Sequence, residues 1–257
     1  MKPIDPNKEK EKIVTFIAQT FKNAGFSDAV IGLSGGVDSA VSFVLTTQAL
    51  GIDHVYPILL PCGGLSTQGV LDAMKLIEKL HIPLTYVTRI DIKPAVDMIV
   101  KSDSMMDRIR GGNIMSRVRM TYLFDQAKKR HALVVGAENK TEHVLGYFTR
   151  YGDEASDVEP IRHLYKTQIY DLAKHLHIPE EIQHKTPSAD LWPEQTDEGE
   201  LGFTYKGADE ILYLLVDEKK TEEEVVASGF DKNLTSAVSR RLSTNRFKHE
   251  TPYILTG

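Results

Sequence analysis

Six consecutive residues, Ser34, Gly35, Gly36, Val37, Asp38 and Ser39, combine a glycine-rich turn with a carboxylate. Ahead of them Ala29, Val30, Ile31, Gly32 and Leu33 form a short apolar run, which predicts a buried parallel strand. Behind them Ser39 to Leu50 predicts a helix with Val41, Val44 and Leu45 on one face. A tight loop between a strand and a helix aims backbone N–H groups and a helix dipole at one point, which suits an anion, and glycine lets the backbone approach phosphate oxygens closely. Asp38 would repel that anion unless a cation lay between them, so it is expected to be a magnesium ligand shared with phosphate oxygens.

The loop lacks the Lys followed by Ser or Thr that the common P-loop of ATPases and GTPases requires. It resembles instead the pyrophosphate loop of the ATP-pyrophosphatase families, which cleave between the α and β phosphates and transfer AMP. That resemblance implies adenylation rather than phosphorylation.

The elements that must hold this loop repeat the same grammar. Helices are predicted over Lys8–Ala24, with Ile13, Ile17 and Phe21 as its apolar stripe, and over Thr67–Leu80. Strands are predicted at His54–Leu60, Leu84–Val87 and Ala132–Val135. A helix interrupted by Pro94 follows Asp91, a strong one runs from Asn113 to Arg130, and Ser102–Arg110, Tyr151–Glu159 and Thr186–Gly202 read as loops. Further helices are predicted at Lys166–His177, Tyr205–Val216, Thr221–Ala227 with a Thr221/Glu224 capping box, and Asn233–Phe247. The fold class is therefore α/β, a doubly wound parallel sheet with helices on both faces and a helical C-terminal segment from about residue 205. Ligands in such sheets lie at the carboxyl ends of strands, where the glycine loop falls.

Composition narrows the function classes. With 41% hydrophobic and 26% charged residues in 257, the chain has an ordinary globular make-up, and a net charge of -5 argues against duplex nucleic acid as the main partner. No apolar run is long enough to span a membrane, and the Lys/Glu cluster of residues 8–12 is no signal peptide, so a cytoplasmic protein is expected. The single cysteine, Cys62, excludes an internal disulfide and a Cys-rich zinc site, and nine scattered histidines show no ligand spacing. Two glycosylation patterns, at Asn139 and Asn233, carry no weight without export.

From Gly112 onward the resemblance becomes specific. Gly112, Asn113, Arg117, Arg119 and Met120 stand as in the helix of the ammonia-dependent NAD synthetases, adenine nucleotide alpha-hydrolase-like enzymes. In the family's order follow Val134 to Ala137, Glu142, the block Gly146 to Asp153, Asp157, Pro160, Lys166, Ala189 to Leu191, Asp197, Glu198, Leu201, Gly202 and Tyr205. The match covers nearly the whole chain and reads as one synthetase domain over 1–257.

The resemblance implies that Gly32, Leu33 and Ser34 to Ser39 bind ATP, with Lys166 neutralising its phosphates and Ser188, a Thr in most relatives, also touching it. It implies magnesium at Asp38 and Glu142, and deamido-NAD at Arg117, Arg150, Asp157, Phe247 and Lys248. Asp38 and Lys166 would be the catalytic pair. It also implies a homodimer whose interface helps build the dinucleotide site, and ammonia rather than glutamine as nitrogen donor, with Cys62 a bystander. Leu59 and Ala137 stand where relatives often carry Arg and Thr, Phe247 where many carry His, and Arg150 where many carry Lys, so the adenine and nicotinate contacts are expected to be rearranged. Each residue also has an ordinary reading: Arg117 and Arg119 as a solvated helix face, Glu142 as a dipole cap, Lys166 as a surface lysine. Rival functions are a GMP synthetase-like adenylating enzyme, a tRNA-modifying thiolase and a non-catalytic ATP-binding module.

Overall fold

The computed structural model describes residues 1–250 and 252–255. Four parallel strands form one sheet: β1 (Asp28–Gly32), β2 (Val55–Leu59), β3 (Thr88–Arg89) and β4 (Ala132–Val135), in the order β3-β2-β1-β4. The chain winds outward from β1 to β3 and then crosses back to lay β4 on the other side of β1. This reversal makes the β1/β4 junction the topological switch point, where such sheets bind ligands.

Helices cover both faces. On one side α1 (Pro6–Ala24), α2 (Val37–Leu50) and α3 (Thr67–Lys79) pack with α7 (Lys166–His175) and α8 (Glu180–Gln183) around Ile13, Ile17, Phe21, Ile31, Phe43 and Leu172. On the other side, beyond α4 (Lys93–Val100), the long α5 (Arg108–Arg130) lays Leu123, Phe124 and Ala127 on Val30, Ile58 and Val134. The remaining helices, α6 (Lys140–Leu145), α9 (Asp197–Leu201), α10 (Tyr205–Leu212), α11 (Glu222–Ala227) and α12 (Lys232–Asn245), gather round a second apolar cluster that includes Leu145, Ile211, Leu212, Val225 and Val238. No helix among the described residues is long and apolar enough to cross a membrane.

Several boundaries follow from chemistry at the helix ends. Asp5 caps α1 by accepting from the amides of Asn7 and Lys8, so the helix starts two residues earlier than its charged face suggests. Asp107 caps α5 through the Arg110 amide, which places part of the expected 102–110 loop inside a helix. Pro94 does not interrupt α4 but sits in its first turn, where a missing N–H costs nothing. The expected third strand at Leu84–Val87 is a 3-10 turn, and pairing with β2 begins only at Thr88. The Thr186–Gly202 loop carries α9, whose first residue, Asp197, is buried.

Candidate active site

The glycine loop leaves β1 at its carboxyl end and enters α2 at Val37. Gly35 has φ +78°, and a Cβ there would stand 2.2 Å from the Gly69 carbonyl oxygen of α3, so side chains are excluded twice over. Gly36 caps α2 without any side-chain hydrogen bond, which leaves the first amides of this helix facing open space. Around them Ser34 and Ser39 hydroxyls lie 3.0 Å apart, and the Gly36 amide donates to Ser34 Oγ at 3.2 Å. The loop is thus stiffened by its own serines while its helix end stays free for an anion.

Across the loop stands Lys166 at the start of α7, with only 2% of its surface exposed. Its Nζ donates to Asp38 Oδ2 at 2.6 Å and to Glu142 Oε1 at 2.9 Å. Asn139 orients Asp38 by donating from Nδ2 to Oδ1 at 2.9 Å, while its own Oδ1 accepts from the Glu142 amide and caps α6. Thr141 Oγ1 in turn accepts from the Lys166 amide at 2.9 Å and donates to Asp209 at 2.6 Å. A third carboxylate, Asp197, is held by the hydroxyls of Tyr205 (2.9 Å) and Tyr147 (3.1 Å).

The charges do not balance. Burial opposes the ammonium charge of Lys166, yet Asp38 and Glu142 outweigh it and raise its pKa well above the usual lysine value, so it stays charged. Burial, with Asp38 and Asp197 nearby, pushes Glu142 up to about 8 even against the pull of Lys166, and burial raises Asp197 as well. Two carboxylates share one ammonium, and Asp197, held by its tyrosines, adds a third acidic group to the same cluster.

These groups line a cavity of about 600 Å³ that reaches from the loop, past Val134 and Leu60, to Thr149, Asp153 and the segment 185–192. Its floor against β1 and β4 is apolar, and Gly136 at the end of β4 has no room for a side chain because Glu159 Oε1 would lie 1.9 Å from its Cβ. An apolar floor with a polar anion-binding end fits a nucleotide.

The family model for NAD synthase matches residues 9–252. The chain belongs to the NAD synthase family. Among its relatives is an NH3-dependent NAD+ synthetase of Fusobacterium nucleatum, 45% identical over 95% of this chain and 93% of the relative. Two solved structures resemble it over nearly their full lengths. An NH3-dependent NAD synthetase from Campylobacter jejuni gives a TM-score of 0.83 at 32% identity, covering 98% of this chain and 100% of that one. An NMN synthetase from Francisella tularensis gives 0.82 at 32% identity, covering 99% of both. The sheet, its helices and the helical C-terminal segment are the fold of NAD synthetases.

Placed on the structure of this family member, the expected residues fall into two groups. Gly32, Leu33, Ser34, Gly36, Val37, Asp38, Ser39, Glu142, Lys166, Ser188 and Lys248 line the cavity, and Gly35 shapes the loop from behind. Arg117, Arg150, Asp157 and Phe247 do not line it. Three of these instead form one patch beside it: Arg117 is exposed and its Nε donates to the Arg150 carbonyl at 3.2 Å, and the Arg150 guanidinium lies 5.1 Å from the centre of the exposed Phe247 ring. Asp157 accepts from the Val134 amide at 2.8 Å and ties its segment to β4. Lys248 donates to the carbonyls of Gly146 and Phe148, latching the C-terminal segment over α6.

The ordinary readings divide as well. Lys166 is no surface lysine, and Glu142 turns its carboxylate to Lys166 although it stands in the first turn of α6. Arg117 is solvated, but Arg119 on the same helix points into the cavity. Asn139 and Thr141, which matched a glycosylation pattern, are fully buried and can accept no glycan. Cys62 is buried beside Ile92 and Val96, and burial raises its thiol pKa, which disarms it as a nucleophile.

Proposed function

We propose that this chain forms NAD by amidating deamido-NAD, nicotinic acid adenine dinucleotide, with ATP and ammonia, releasing AMP and pyrophosphate. As a member of the NAD synthase family it is a ligase that makes a carbon–nitrogen bond, and ATP is its co-substrate. The observation that carries the residue assignment is the buried Lys166 between Asp38 and Glu142, directly opposite an uncapped helix N-terminus.

In this reading the amides of Ser34 to Ser39 and the ammonium of Lys166 receive the β and γ phosphates. Asp38 and Glu142 would hold Mg2+, and their donor set suits it. Both are hard carboxylate ligands, and both already meet one cation, the ammonium of Lys166. Among the described residues no group of three ligating side chains is arranged to hold a metal by itself, which supports an ion shared with phosphate. Such an ion supplies charge neutralisation at the departing pyrophosphate. The substrate carboxylate attacks the α phosphorus, pyrophosphate leaves, and ammonia then displaces AMP from the acyl-adenylate. No protein nucleophile is needed, since positioning and electrostatic stabilisation lower the barrier.

The dinucleotide is longer than the cavity's reactive end, and the exposed Arg117, Arg150 and Phe247 patch offers cations and an aromatic face for its remaining phosphates and base. A homodimer would cover that patch, and a cytoplasmic setting suits substrates of this kind. The whole of 1–257 acts as one synthetase domain in this account.

The test is a stoichiometric assay with Mg2+, ATP, ammonium and either deamido-NAD or nicotinic acid mononucleotide, because one structural neighbour is named for making NMN. The expected result is equal amounts of NAD, AMP and pyrophosphate with the dinucleotide as the better substrate. ADP as product, or preference for the mononucleotide, would overturn the reaction or the substrate respectively.

A further inference from the structure

Arg119 projects from the middle of α5 between two anchors. Toward the N-terminus, Ser116 Oγ, one turn away, donates to Asp153 Oδ1 at 2.6 Å, and Asn113 Oδ1, nearly two turns away, accepts from Thr149 Oγ1 at 2.9 Å, fixing the segment Thr149–Asp153. One turn toward the C-terminus, Leu123 packs under the end of β1, its Cδ1 only 3.3 Å from where a Gly32 Cβ would be. The guanidinium bridges to the second strand, donating from Nε to the Leu60 carbonyl at 3.3 Å and from Nη2 to Ser66 Oγ at 3.5 Å. Ser66 precedes α3, the helix whose Gly69 carbonyl abuts Gly35.

Both of those partners are neutral, and among the described residues Arg119 makes no ion pair. Desolvation lowers its pKa, and the opposing pull of Cys62, Asp190 and Asp153 does not reverse this. Three other basic groups around the cavity are engaged, Lys166 by two carboxylates, Lys185 by Asp72 at 3.5 Å and Lys248 by two carbonyls; Arg241, over the Tyr147 ring, also has a buried Nε without a hydrogen-bond partner among the described residues, but it comes from α12 and not from the helix that faces the glycine loop. A desolvated cation without a counter-charge is costly, and the cost is recovered when an anion arrives.

We propose that Arg119 is the binding residue for the α-phosphate of ATP, gripping two of its oxygens and keeping that grip when the phosphorus is joined to the substrate carboxylate. The proposal rests on the reading of this cavity as an ATP site. Lys166, Asp38 and Glu142 serve the end of the triphosphate that leaves. The α-phosphate stays, and on this reading it lies in the cavity whose wall Arg119 shares with the glycine loop, Thr149 and Asp153. In the first step a carboxylate oxygen bonds to the α phosphorus while its bond to the β-bridging oxygen breaks, and the electron pair leaves with pyrophosphate. In the second the ammonia lone pair forms the C–N bond, the C–O bond breaks toward AMP, and a proton passes to solvent. The α-phosphate bears negative charge throughout, and a guanidinium fork matches it better than an ammonium.

The experiment compares AMP with adenosine by calorimetry without Mg2+, on the wild type, Arg119→Gln and Arg119→Lys. The wild type should bind AMP about ten- to a hundredfold more tightly than adenosine, the range of hydrogen bonds to a charged group. Arg119→Gln, which keeps a donor for the Leu60 carbonyl, should lose about tenfold or more of that preference with adenosine affinity unchanged, and Arg119→Lys should fall between. An AMP preference intact in Arg119→Gln, or equal loss of both ligands there, would overturn the assignment. Should Arg119→Gln fail to fold, the wild type and Arg119→Lys decide: no AMP preference in the wild type, or an undiminished one in Arg119→Lys, refutes the two-oxygen grip. Failure of the wild type to bind either ligand would instead overturn the ATP reading.

Discussion

Replacing Lys166 by Met removes the one ammonium that Asp38 and Glu142 share while keeping a side chain of similar length. The site is buried, so water replaces the lost charge poorly, and breaking a buried ion pair costs about 3–5 kcal/mol. Glu142, pushed up to about 8, already holds its proton at neutral pH, so Asp38 is the one charge left uncompensated, which favours the low end, about 3 kcal/mol. In a chain of this size each kcal/mol moves the melting temperature by about 2–4 °C, so a loss of about 6–12 °C is expected. The variant's carboxylates, freed of their lysine, should bind Mg2+ more tightly than the wild type's, so millimolar Mg2+ should recover several degrees in the variant and little in the wild type. Turnover should stay at least about a hundredfold down even with saturating Mg2+, because the phosphate contact is gone. Calorimetric scans with a chelator and with Mg2+, beside initial rates, measure all three. A variant melting within about 2 °C of the wild type and indifferent to Mg2+ would refute the electrostatic account of the site.

Asp38→Asn should keep its fold, since Asn139 can still pair with the amide oxygen, but lose about a hundredfold or more in rate, most at limiting Mg2+; a near wild-type rate there would remove Asp38 from the metal. Gly35→Ala puts a Cβ against the Gly69 carbonyl at a positive φ, so ATP affinity should drop at least about tenfold and stability by about 1–3 kcal/mol, read by ATP titration and melting. Burial pushes Glu159 up to about 7, so the folded state holds its proton longer than the unfolded chain does. Its contribution is therefore full below about pH 4.5 and lost as pH rises through about 7, and Glu159→Gln should flatten the decline in stability between those values, seen in denaturant midpoints across pH.

Local signals made the loop legible: a short apolar run, two glycines and a carboxylate place Ser34–Ser39 at a strand end, and β1, α2 and β4 lie there. The anchors of the site were not visible, because their meaning is tertiary. Asn139 reads as a sequon and becomes the residue that orients Asp38 from 101 positions away. Arg117 and Arg119 are indistinguishable in the sequence, two positions apart on a helix, and only the packing of α5 turns one to water and the other into the cavity. Leu84–Val87 looks like a strand from composition, but its neighbours in space offer no ladder until Thr88.

The most direct test of adenylation follows the oxygen atoms. With deamido-NAD carrying 18O in its nicotinate carboxylate, incubated with the enzyme, ATP, Mg2+ and ammonium, one labelled oxygen should appear in the phosphate of AMP and none in pyrophosphate. Label in pyrophosphate or in inorganic phosphate, or unlabelled AMP beside labelled water, would contradict attack of the carboxylate on the α phosphorus.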